Sequence, residues 1–276
     1  MKREKTHNNK NSKKTDETSE PSPMYRSVPC TRVEGDLFMH GVHDVVEEIP
    51  IALFINGRHV MTAMMSPVNL EDFVTGYLFT EEIIKTTKEI ESIKIEKNRI
   101  SVITKNLFKV LPPKKTILSG CGGSVSFIDV EKLPKIHSDF SISAAAITAA
   151  LRSVSDSENH RTPGAFYRVV LLDSQHVISV AEDIGRHNAI DRIIGYALRN
   201  DIFLSQTFVI SSGRISSEMV RKCLTANIPI IISRSETTTL SVDIADKTGM
   251  TVIGGARDGK LNIFSHPERI TGGRQE

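Results

Sequence analysis

The sequence predicts a mixed α+β and α/β chain with two folded units behind a polar leader, and three observations carry that prediction. Residues 1–28 are poor in apolar side chains. The next 80 or so residues alternate hairpin signals with one amphipathic helix. From residue 139 on, short apolar strands alternate with helices. A length of 276 residues accommodates two such units. The hydrophobic share of 39 % is low for a compact core and fits the polar leader.

The leader carries seven basic and four acidic side chains, so its charge is +3. With a whole-chain charge of +2, the remainder sits near −1. Such a segment does not bury enough apolar surface to offset its ordering entropy, and it reads as disordered. A charge this close to zero does not point to nucleic-acid or anionic-membrane binding by field alone. No apolar run reaches the roughly 18–20 residues of a membrane span. No apolar segment marks a signal peptide. Three widely spaced cysteines, Cys30, Cys121 and Cys223, form neither a disulfide framework nor a zinc signature. The expectation is a protein of the reducing cytoplasm.

The first unit is expected over 29–111. Residues 49–55 and 58–64 flank Asn56-Gly57, a two-residue hairpin turn. Leu70, Phe73, Val74, Tyr77 and Leu78 recur at helical spacing, with Asn69 as the expected side-chain N-cap. Residues 91–96 and 99–104 alternate like half-buried strands. A linker over 112–138 follows, with Pro112-Pro113 and then Gly120-Cys121-Gly122-Gly123, read as an exposed, mobile loop. Glycine neighbours leave the Cys121 thiol without steric cover, and Lys114 and Lys115 add positive potential that favours a thiolate. The bland alternative is a cysteine with no role. Cys223 reads as a core residue.

The second unit is expected over 139–276. Residues 143–153 form an Ala-rich helix, and 166–172 with 176–181 a hairpin. Helices at about 188–198, 216–226 and 239–247 then alternate with strands at 207–211, 228–233, 250–254 and 261–264. Three strand-to-helix junctions share one chemistry. The first is Glu182-Asp183-Ile184-Gly185-Arg186-His187-Asn188, the second Ser211-Ser212-Gly213-Arg214, the third Ser233-Arg234-Ser235-Glu236-Thr237-Thr238. Parallel strands would put all three at one sheet edge, where open α/β proteins bind ligands. Each supplies an arginine, small or hydroxyl side chains and a helix start with free N–H groups. A phosphorylated ligand such as a nucleotide is implied. The structural alternative is ordinary helix capping, with Glu182 or Asp183 pairing with Arg186 and His187 as a loop residue. No Gly-x-Gly-x-x-Gly or P-loop pattern is present.

Four stretches together, EDIGRHNAIDRIIG (182–195), SGRISSEM (212–219), IPIIISRS (228–235) and LNIFSHPERI (261–270), resemble the formate dehydrogenase accessory proteins of the FdhD family. Weaker matches lie at 48–57 and at GYLFTEEII (76–84). The resemblance implies a second domain with a cytidine-deaminase-like three-layer sandwich, but the deaminase zinc motif is missing, so no metal site is expected. It implies a cytoplasmic sulfur carrier that takes sulfur from a cysteine desulfurase as a persulfide on Cys121. The sulfur would pass to the molybdenum bis(molybdopterin guanine dinucleotide) cofactor before its insertion into apo formate dehydrogenase.

By the same resemblance, Leu261, Asn262, Ile263, Phe264, Ser265 and His266 match a cofactor-binding segment. The junction residues Arg186, His187, Asn188, Ser212, Gly213, Arg214, Ser233, Arg234 and Ser235 would hold its phosphates, and free GDP or GMP would occupy the same crevice. A homodimer is expected by analogy. Two departures matter. The family loop reads Cys-Gly-x-Cys-Gly, but Ser124 stands at the second cysteine position. A Gly-Gly-x-His element has Phe166 at the histidine position. The alternative expectation is therefore a nucleotide- or pterin-binding chaperone without sulfur transfer.

Overall fold

The computed structural model describes residues 24–106, 115–117, 130–155 and 164–272. Strand structure reaches into the span read as the leader. Strands β1 (Tyr25–Glu34) and β2 (Leu37–Val46) form an antiparallel ribbon closed at Gly35, whose φ is 59°. Both faces of the ribbon are largely exposed. The sequence therefore lacks the apolar alternation that marks a half-buried strand, and the ribbon is not legible from it.

The first unit is a five-stranded sheet in the order β5-β6-β3-β4-β7. Strands β3 (Ile49–Ile55) and β4 (Arg58–Met65) pair antiparallel across Asn56-Gly57. These turn residues have φ of 49° and 79°, as a type I′ turn requires. Helix α1 (Leu70–Thr80) follows. Its N-cap Asn69 is left-handed at φ 45° and makes no side-chain cap bond, contrary to expectation. Strands β5 (Ile90–Glu96) and β6 (Arg99–Thr104) return antiparallel, and β6 lies parallel to β3. The short β7 (Lys115–Ile117) pairs parallel with β4. Ile51, Leu53, Met61, Ile100 and Val102 of the sheet bury against Phe73, Val74, Tyr77 and Leu78 of α1.

The second unit has three layers. Strand β8 (Ile142–Ser143) leads into α2 (Ala144–Ala150), capped by the Ser143 side chain, and α3 (Arg152–Ser155). Strands β9 (Tyr167–Leu172) and β10 (Val177–Asp183) form the expected hairpin. Then come α4 (Arg186–Arg199), β11 (Phe208–Ser211), α5 (Ser217–Thr225), β12 (Ile230–Ser233), α6 (Thr239–Thr248), β13 (Thr251–Arg257) and β14 (Lys260–Ser265). A final β15 (Ile270–Thr271) pairs with β8. The sheet order is β10-β9-β11-β12-β13-β14. One face buries Val209, Ile231 and Val252 under α4, α5 and α6. The other buries Ile210, Ile232 and Ile253 under α2 and α3. The layered α/β expectation therefore holds.

The units meet through helices. A Cβ on Gly76 of α1 would lie 1.8 Å from the Asp191 carbonyl oxygen of α4. One on Gly195 would lie 1.8 Å from the Asp72 carbonyl oxygen. Only glycine permits this backbone contact. Among the described residues, no helix is long and apolar enough to cross a membrane.

Candidate functional site

Strand β11 runs parallel to β12, and β12 to β13. Strand β10 is antiparallel to β9, and β9 to β11, so β10 also runs with this set. The three junctions therefore leave the same carboxyl edge, as parallel strands would require. The start of β9 fills the gap between the first two. Tyr167 lies opposite Asp183, and the Arg186 guanidinium sits 6.0 Å above the Tyr167 ring.

The junctions are stitched by small groups. The Arg168 N–H donates to Ser212 Oγ at 2.9 Å, and the Ser212 N–H to the Arg168 carbonyl at 2.9 Å. Ser233 Oγ donates to the Gly213 carbonyl at 2.7 Å and accepts from the Ser235 N–H at 2.9 Å. Gly213 is packed on Tyr167, where a Cβ would meet ring carbon Cδ1 at 2.7 Å. Ser212, Arg234, Ser235 and Arg257 line a cleft of about 330 Å³. Arg214 and Arg234 are exposed.

The first junction divides its labour. Arg186 keeps a buried Nε–H without an acceptor, and Arg168 does the same at the next strand. Buried N–H donors rarely stay unpaired, so the Arg186 donor fits an oxyanion ligand, whereas Arg168, paired with Glu182, lies on the α2–α3 face of the sheet. His187 is mostly buried, with Nε2 3.2 Å from Ser216 Oγ and 3.6 Å from Glu218 Oε2. Burial pushes its pKa down to about 4, against the pull of Glu218, so the ring is neutral at pH 7. Asn188 is spent on structure, donating to the Met64 carbonyl at 3.0 Å and to Asp183 Oδ1 at 2.9 Å.

The acids of this junction do not pair with Arg186. Glu182 holds Arg168 at 2.9 Å, and Asp183 holds Arg192. Asp183 is completely buried and also accepts from the Ser66 and Gly185 N–H groups at 3.1 and 2.7 Å. Its carboxylate thereby ties α4 to the end of β4. Arg186 starts the helix with its guanidinium toward Tyr167, so these acids turn to nearer cationic partners.

The C-terminal segment spreads over two edges. β14 is antiparallel to β13, so Leu261 and Asn262 lie toward the crevice edge, Asn262 opposite Gly254. Ile263 packs in the core under α2, and Phe264 is half exposed beside Gly254. Ser265 and His266 are at the far edge. Ser265 Oγ donates to the Met250 carbonyl at 2.8 Å, and His266 bonds the Asp246 carbonyl and Glu268. Cys121, Ser124 and Lys114 lie outside the described residues. Cys223 is buried in the core, where desolvation raises its thiol pKa, and Cys30 is exposed on the ribbon.

Sequence reasoning missed three parts of this region. Tyr167, the floor under Arg186, opens a strand instead of lying at a strand-to-helix junction. Arg257 ends β13 at a hairpin, although the parallel-strand argument already points to that edge. The third is a buried ion network behind the crevice. Lys222 Nζ donates to both Asp191 oxygens and to Thr80 Oγ1 at 2.9 Å, and it reaches Glu81 at 3.4 Å. Burial raises Asp191 to about 6 against the pull of Lys222. Burial opposes the Lys222 charge too, yet Asp191 and Glu81 outweigh it and hold its pKa above the usual lysine value. The signal was a charged residue on the apolar face of each of two helices.

Fold and site together define a two-unit α/β protein whose three arginine-bearing junctions share one sheet edge. Comparison places it more closely. The FdhD/NarQ family profile matches residues 46–271, and the chain belongs to that family. A sulfur carrier protein FdhD from Bacillus subtilis is 31 % identical over 235 residues, covering 82 % of this chain and 90 % of the relative. One from Staphylococcus haemolyticus is 32 % identical over 255 residues, covering 87 % and 94 %. A crystal structure of a protein assigned as a formate dehydrogenase accessory protein, from Desulfotalea psychrophila, superposes with a TM-score of 0.74. It is 26 % identical and covers 90 % of this chain and all of the other.

Proposed function

We propose that this protein is a sulfur carrier for formate dehydrogenase, working through Cys121 and the three-junction crevice. The Cys121 thiolate attacks the terminal sulfur of a cysteine desulfurase persulfide. A Cys121 persulfide forms and the donor leaves as its thiolate. The substrate receiving that sulfur is the molybdenum bis(molybdopterin guanine dinucleotide) cofactor, before its insertion into the apo-enzyme. Arg186, Arg214 and Arg234 hold its nucleotide phosphates, and the orphaned Nε–H group of Arg186 adds to the anion site. The neutral His187 ring beside Ser216 serves as a hydrogen-bonding group rather than a cation. The chain acts in the cytoplasm, where a free thiol persists, and as a homodimer.

One observation carries the reading: a buried guanidinium N–H donor without an acceptor, on Arg186, stands at an edge where three arginine-bearing junctions converge. Support for Cys121 comes from its anchor. Strand β7 places Ile117 opposite Ala63 and runs parallel to β4, the way β4 runs to Met64 and Ser66. Those two residues bond Asn188 and Asp183 at the start of α4. Four residues of chain reach at most about 14 Å, enough to bring Cys121 near that junction.

Mass spectrometry after incubation with a cysteine desulfurase and cysteine tests the carrier step. A one-sulfur adduct on Cys121 is expected, and its absence excludes the role. Calorimetry with GDP tests the crevice: Arg186→Gln should weaken binding by about tenfold or more. The second reading is a cofactor-binding chaperone without transfer. The Phe166 ring favours it, because it packs edge-on against Tyr25, 5.5 Å between centroids, and offers no titratable group. GDP binding without a sulfur adduct would select that reading.

A further inference from the structure

The outer edge of β10 is the strongest feature that the crevice leaves unused. β10 is the first strand of its sheet, and among the described residues no strand pairs with its outer side. Two of its side chains, Val177 and Val180, are 47 % and 38 % exposed. They are paired with Leu172 and Val170 and so lie on the α2–α3 side of the sheet. On the opposite side, a cleft of about 360 Å³ runs between Ile178–Ala181, the start of α1 and the flank of α4.

Arg192 lines that cleft and is only 2 % exposed. Its Nη2 donates to the Ser66 carbonyl and Asp183, but Nε and Nη1 have no acceptor. Leaving a buried donor unmade costs about 1–3 kcal/mol. Asp72 lines the same cleft and is tied to Arg199 at 2.6 Å. The charges around the cleft are thus already balanced, which suits a neutral acceptor better than a carboxylate. A small free metabolite would satisfy the guanidinium alone. An extended peptide satisfies the open strand edge, the exposed valines and the orphaned donors together.

We propose that the β10 edge is a docking site for an extended segment of a partner protein. Its main chain pairs with residues 177–181. An Asn or Gln side chain enters the cleft, its carbonyl oxygen accepting from Arg192 and its amide donating to Asp72. Apolar side chains on the other face cover Val177 and Val180. This site lies apart from the crevice and does not depend on what the crevice binds.

The test is selection of short random peptides, displayed on phage, against the full chain. Counter-selection uses the double variant Val177→Lys, Val180→Lys. Both positions are exposed, and edge lysines are compatible with folding; a thermal melt checks this. The expected winners alternate apolar residues with Asn or Gln. A synthetic winner should slow hydrogen exchange at 177–181, and the double variant should weaken it by about tenfold or more. GDP titration of the same variant should be unchanged, which separates this edge from the crevice. Failure to enrich any sequence over the double variant overturns the proposal. So do winners that leave exchange at 177–181 untouched.

Discussion

His187 is kept uncharged by its surroundings, and that has a pH signature. Its folded pKa of about 4 lies below the ordinary value of 6.5. Between those values the unfolded chain binds the proton and the folded chain does not, so stability is full above pH 6.5 and falls as pH drops toward 4. A tenfold change in proton affinity is worth about 1.4 kcal/mol, so the full contribution is on the order of 3 kcal/mol. Urea titrations of wild type and His187→Gln across that window should show a shallower slope for the variant; equal slopes would refute the assignment. Asp191 and Lys222 make the complementary case. Lys222→Met leaves the Asp191 carboxylate buried without its cation, and should cost about 3–5 kcal/mol. Adding Asp191→Leu removes the stranded charge and should restore much of that loss by the same measurement. If both variants prove equally unstable, the pair is not acting as a unit.

At the scale of elements, the α1–α4 contact is the least forgiving feature. Ridges and grooves usually keep helix axes about 8–10 Å apart, and only small residues allow a closer approach. A methyl on Gly76 or Gly195 would overlap a backbone carbonyl rather than a side chain that can turn away. Gly76→Ala and Gly195→Ala should each destabilise by about 3 kcal/mol or more, read as a fall in the urea midpoint. Helix propensity alone would move the other way, because alanine is favoured over glycine by about 1 kcal/mol. The sign of the change therefore decides between packing and propensity.

The same elements show what the sequence could reveal. The β3–β4 turn was legible because Asn-Gly tolerates positive φ, as Asn56 and Gly57 have. The alternation after residue 200 was legible because the central strands, buried on both faces, read as continuous apolar runs. Asn69 was misread, since its left-handed backbone turns its side chain away from capping. The convergence of the junctions could be argued from parallel strands. The task of each polar side chain could not, because Asp183 looks the same in sequence whether it faces a ligand or Arg192. Ser265 and His266 illustrate the same point: antiparallel β14 carries them to the far edge.

On the scale of the whole molecule, two sheets with separate cores are joined by contacts too costly to separate. α1 buries one side in the first core, while Phe79 touches both cores. Asp183 accepts from Ser66, Arg192 donates to Ser66, and Lys222 and Asp191 share Thr80. Pulling the units apart would strand a carboxylate and a guanidinium in one place, and an ammonium and a carboxylate in another. Each is more costly to expose singly than to keep buried in its pair. The units should therefore unfold together. Scanning calorimetry should give one transition whose calorimetric and van't Hoff enthalpies agree. Asp183→Asn removes the charge that Arg192 needs, so it should lower that single transition rather than split it. Two resolved transitions in the wild type would mean that the polar seam between the units contributes little to holding the crevice in shape.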